Sequence, residues 1–133
     1  MVSGFTTYTM QKVLEHVLKN TVYTPAATVY VSLFVGDPLG AGTEEDDSGY
    51  TRQAITFGAY SFSSPSGSIT NSTDITFGTI ADGATTIDYW AIYDASTSGN
   101  MLLTGTFTPS KTFNIGDQIT AKTGNLTSKL TQT

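Results

Sequence analysis

Ordinary site chemistry in this chain would have to be built from its single histidine, His16, and from one acidic run, Glu44, Glu45, Asp46 and Asp47. A Ser-His-Asp relay needs its imidazole in a cleft with a carboxylate behind it. His16 falls instead among Lys12, Glu15 and Lys19 on the polar side of an amphipathic segment, and reads as solvated helix surface. Four consecutive acids carry enough charge for a cation such as Ca²⁺, but neighbouring side chains point apart, whereas a calcium loop spaces its ligands so that they converge. No D-x-[DN]-x-[DN]-G pattern is present. The run reads as a solvated loop tip, with a shared cation or a partner contact left open.

Asp74, Asp82, Asp88, Asp94 and Asp117 could in principle pair as the acid and base of a glycosidase. Four of the five sit at turns or strand ends, where Asp is favoured for backbone reasons alone. Cysteine is absent, so thiolate metal sites and disulfides are out of reach. Glycine-rich phosphate loops and HExxH patterns are missing too. Asn71 and Asn125 begin N-x-T triplets, a pattern short enough to arise by chance. The residues assign no catalytic, cofactor-binding or metal-binding position, and the expectation is a protein that is not an enzyme.

The elements that would hold any site change character once. Met10, Val13, Leu14, Val17 and Leu18 repeat at i, i+3, i+4, i+7, i+8, which predicts a helix over about residues 8–20, capped by Thr7 or Thr9. From Ala27 the apolar residues alternate. Val29, Val31, Leu33 and Val35 face one way and Tyr30 and Phe34 the other, so a central strand is expected there. Further alternation runs through Ile55 and Phe57, through Ile69, Ile75 and Phe77, and through "TTIDYWAIYDA", with Ile87, Tyr89, Ala91 and Tyr93 opposite Trp90 and Ile92. "NMLLTGTFT", "KTFNI", "QITAK" and "LTSKL" complete the series, and "SSPSGS" reads as a loop. Turn signals recurring every 8 to 12 residues, roughly, predict a sandwich or barrel. The fold class expected is mainly β: an antiparallel β-sandwich, jelly-roll-like with about eight strands. One N-terminal helix should pack its apolar face on the sandwich.

The 133 residues, 38% hydrophobic and 13% charged, suit one domain with its own core, the helix leading and the sandwich spanning about 27–131. A net charge of −5 argues against nucleic acid as a partner. No apolar run is long enough for a membrane span, so no membrane partner is expected. The N-terminus has neither the basic nor the apolar region of a signal peptide, which implies synthesis without Sec-type export.

Five stretches in order carry a resemblance: "LEHVLKNTVYTPAATVYVSLFVGDP", "YTRQAITFG", "SITNSTDITFG", "WAIYDASTSGNMLLTG" and "KTFNIGDQITAKTGNL". Together they cover about Met10 to Leu130, and the chain resembles a family of small virion structural proteins of tailed bacteriophages. Such proteins are labelled head decoration (cement) proteins or tail fibre proteins. The resemblance implies a structural role without catalysis or cofactors. It implies two partners, the major capsid protein and further copies of the chain, with a trimer the expected homo-oligomer. The capsid surface of the virion is the expected location after synthesis in the host cytoplasm. A capsid decoration protein is the first expectation; a tail fibre or baseplate component acting in host attachment is the alternative.

Overall fold

The computed structural model describes residues 4–132. It is mainly β with antiparallel sheets and one helix, as expected. The helix, α1 (Thr7–Leu18), follows a two-residue strand, β1 (Gly4–Phe5). Its cap is Thr6, not the expected Thr7 or Thr9; the Oγ1 accepts from the N–H of Thr9 at 3.3 Å. Asn20 takes the left-handed conformation with φ 54°, and the chain leaves the helix there.

The largest sheet has six strands. Its spine runs β1, β9 (Met101–Phe113), β8 (Thr85–Tyr93), β2 (Val29–Val35) and β3 (Thr43–Glu44), and β4 (Gln53–Ile55) also pairs with β2. β2 is therefore central, flanked on both edges, and Val31, Ser32, Leu33 and Phe34 are all buried. A three-stranded sheet is formed by β5 (Ser61–Ser63), β6 (Ser66–Thr70) and β11 (Thr127–Thr131), and a two-stranded one by β7 (Ile75–Thr79) and β10 (Gln118–Ala121). Eleven strands among the described residues thus replace the expected eight or so. The core lies where Val31, Leu33, Trp90, Ile92 and Leu103 of the large sheet meet Ile75, Phe77, Ile119 and Leu126.

Four local expectations are corrected. "SSPSGS" is not a loop but a tight hairpin, with Ser63 paired to Ser66 across Ser64 and Pro65. "SITNSTDITFG" is not one strand: it breaks at Asn71 into β6 and β7, which belong to different sheets. "NMLLTGTFT" and "KTFNI" are one strand, β9. Finally, Ile87 joins Trp90 and Ile92 in the core although odd spacing would put it on the other face. The β8–β9 ladder shifts register between Ile87 and Tyr89, where two steps on β8 answer five on β9 (Lys111 to Thr106). Such a bulge re-aims the side chains on one side of it.

Trp90 lies directly opposite Gly105, and a Cβ at Gly105 would collide with the indole. Glycine there is what lets the ring lie flat across the neighbouring strand.

Candidate functional site

The acidic run is not the solvated tip expected: Asp46 alone of its four acids is exposed. Glu45 and Asp47 are 9% and 6% exposed, and each is satisfied by backbone. Glu45 Oε1 accepts from the N–H of Asp46 and Asp47, and its Oε2 from Thr85 Oγ1 at 2.6 Å. Asp47 accepts from the N–H of Gly49, Ala81 and Asp82 at 2.8–2.9 Å. Asp82 answers by accepting from the N–H and Oγ of Ser48, both at 2.7 Å. Partial desolvation pushes the Asp47 carboxyl up, but hydrogen bonds from the backbone at Asp82, Ala81, Gly49 and Gly83 outweigh it and hold the group below the usual carboxylate range. The run therefore interlocks two turns far apart in sequence. A cluster already saturated with N–H donors has few lone pairs left for a cation.

Glu44 faces the other way. Its Oε1 and Oε2 meet Arg52 Nε and Nη2 at 2.8 Å each, the side-on geometry that suits guanidinium and carboxylate. Arg52 Nη1 donates to the carbonyls of Ala95 and Ser98, and the guanidinium lies 3.6 Å from the ring centre of Tyr93. Tyr50 donates to Glu44 Oε1 at 2.9 Å and accepts the N–H of Leu33 at 3.0 Å. That hydroxyl serves β2 at the gap between its two short partners β3 and β4, where the ladder offers Leu33 no backbone acceptor.

The other acids are loop staples as well. Asp74 accepts from Lys122 Nζ and the N–H of Thr123. Asp88 accepts from the N–H of Gly36, Asp94 from the N–H and Nδ2 of Asn100, and Asp117 from the N–H of Asn114. The structure brings no two of these five together as an acid–base pair. Among the described residues, no group of three or more His, Asp or Glu is arranged to hold a metal ion. His16 Nδ1 accepts the N–H of Tyr23 at 3.3 Å and so braces the turn out of the helix. Asn71 is 1% exposed and is a corner post rather than a glycan acceptor. Its Nδ2 donates to the carbonyls of Thr73 and Lys122, and its Oδ1 accepts from the N–H of Gly124 and Leu126.

The structure also exposes apolar surface. The expected packing of the helix face on the sandwich is overturned: no residue of α1 is buried. Met10, Val13, Leu14, Val17 and Leu18 are 46%, 41%, 57%, 69% and 75% exposed. The helix is held by one end. Thr6 donates its N–H to Leu102 O and its Oγ1 to Met101 O (2.7 Å), while Thr9 Oγ1 donates to Leu102 O (2.6 Å). Hydroxyls in the first turn reach the start of β9, and the stripe beyond them faces outward.

A second apolar surface lies in the β5–β6–β11 sheet. A groove of about 430 Å³ is walled by Phe5, Tyr60, Phe62, Ile69, Leu103 and Leu130, among others, and no charged side chain lines it. Tyr60, Phe62 and Leu130 are 55–69% exposed. The alternating pattern at Ile69 marked a strand but could not tell that its side chain would wall a groove rather than enter the core.

No helix among the described residues is long and apolar enough to cross a membrane. Among curated proteins, none matches the chain. Residues 4–129, nearly the whole length, match the family described as Podophage GP4 fiber I protein gp80, in agreement with the resemblance carried by the five stretches above. With nearly its whole length matched, the chain is a member of the Podophage GP4 fiber I protein gp80 family, a family of phage virion structural proteins.

Proposed function

We propose that this chain is a structural subunit of a virion fibre, associating with copies of itself and catalysing nothing. The observation that carries the reading is the stripe of α1, five large apolar side chains left open on a helix whose first turn is hydrogen-bonded to β9. Monomeric proteins rarely leave a contiguous apolar patch of more than a few hundred Å² uncovered, and such a patch marks an interaction surface. The family's description as a fibre protein favours the tail-fibre alternative drawn from the sequence over the capsid decoration reading. In this reading copies of the chain are the principal partner, and the major capsid protein is at most the base on which the first copy stands.

Gold-labelled antibody against the chain, applied to intact virions, tests it. Label on projecting fibres is the expected result. Label spread evenly over the head shell would overturn the fibre reading in favour of decoration.

A further inference from the structure

We propose that the stripe of α1 in one copy seats in the β5–β6–β11 groove of the next, a head-to-tail contact between copies. The inference deepens the fibre reading and rests on it for its biological setting.

The two surfaces are complementary in shape, size and charge. The stripe is convex and the groove concave. From Met10 to Leu18 the stripe is about 12 Å long at 1.5 Å per residue. The groove follows β11 from Ser128 to Gln132, about 13 Å at the rise of a strand. Its described lining residues carry no charge; Lys129, the cation of β11, is turned into a separate hollow beside Gly4 and Asn125.

Net charge also favours a helix meeting the body of another copy. Residues 7–19 carry Lys12 and Lys19 against Glu15, a net of +1, so the remaining four cations and ten acids leave the body at −6 of the total −5. A helix therefore approaches the body of another copy favourably. Lys12 and Lys19 lie on the side of the helix opposite the stripe, so they do not obstruct the approach of the stripe to the groove.

A contact between two different patches is heterologous: each copy keeps one free helix and one free groove, and repetition gives a ring or an open filament. A contact confined to one three-turn helix face and one groove should fall below the roughly 1,200 Å² of a stable specific interface. A pair should be weak in solution and hold firmly only in a series of copies.

Sedimentation velocity on the full chain, from low micromolar to about 1 mM, with two variants, tests the inference. Leu14→Glu spoils the stripe and Leu130→Glu the groove. Both positions are exposed in the single copy, at 57% and 60%, so both variants should keep the wild-type circular dichroism spectrum. The wild type should associate with rising concentration. Each variant alone should lose that association by about a hundredfold, because it would carry an unpaired carboxylate into an apolar seat. Mixed one to one, they should form a heterodimer and nothing larger, since the intact helix of Leu130→Glu finds the intact groove of Leu14→Glu. Self-association of Leu130→Glu at wild-type strength, a mixture that stays monomeric, or a wild type that never associates would each overturn the contact. The fibre reading would still be decided separately by the gold label.

Discussion

Arg52 holds Glu44 side-on through two 2.8 Å hydrogen bonds, with the arginine side chain 9% exposed and the glutamate 27%. The same guanidinium reaches the carbonyls of Ala95 and Ser98, so one side chain ties the turn after β8 to the segment that follows β3.

Lysine cannot reproduce that fork or stack its charge flat on Tyr93. Arg52→Lys should cost about 2 kcal/mol, seen as a melting temperature several degrees lower. An unchanged transition would show that the fork is incidental to stability.

Asn71→Ala should cost about 2 kcal/mol, because it leaves the buried N–H of Leu126 without its acceptor and removes the donor to the carbonyls of Thr73 and Lys122. Asn125→Ala, in the other N-x-T triplet and exposed, should stay within about 0.5 kcal/mol of wild type. Denaturant titration of both variants measures the contrast.

Acid should weaken the fold in a definable window. Asp47, Asp74 and Asp94 all have carboxyls held below the ordinary value in the folded chain. The unfolded chain takes up those protons first, so their stabilisation is complete above the unfolded pKa of about 3.9 and is lost as pH falls through the folded values. Melting temperature should be nearly flat from pH 7 to pH 5 and drop below about pH 4. Asp47→Asn should be less stable than wild type at neutral pH, and the gap should close in acid. A constant gap at all pH values would assign the loss to shape rather than charge.

Leu14→Asp and Lys12→Asp should melt within about 0.5 kcal/mol of one another, since both positions lie on an uncovered helix. A much lower melting temperature for Leu14→Asp would mean that the stripe is buried in the single copy after all.

That last pair shows where the sequence stops being informative. The spacing of Met10, Val13, Leu14, Val17 and Leu18 states that one side of a helix is apolar; it does not state what covers that side, and intramolecular packing is only the commonest answer. The alternation from Ile69 through Ile75 to Phe77 runs straight across the corner at Asn71, because a polar residue at an outward strand position and a buried corner post look alike in one dimension. The acids at Glu45 and Asp47 looked solvated because their donors, around Ala81 to Thr85, lie some 35 to 40 residues away. The helix, the central strand β2 and the all-antiparallel class were legible because each depends on periodicity within a few residues. The groove was not, since it needs Phe5, Ile69 and Leu130 from three distant parts of the chain.

The attachment of α1 has a mechanical corollary. β1 runs antiparallel along β9, with Gly4 beside Thr104 and Phe5 beside Leu103, and the helix starts immediately after it. Tension applied through the helix therefore passes at Thr6 and Thr9 into β9, which is paired on its other edge with β8. The force enters an interior strand of the six-stranded sheet, so the neighbours on both sides share it as shear instead of one edge pair peeling apart bond by bond. A subunit loaded through its helix would strain the Thr6 and Thr9 hydrogen bonds before it opened its core.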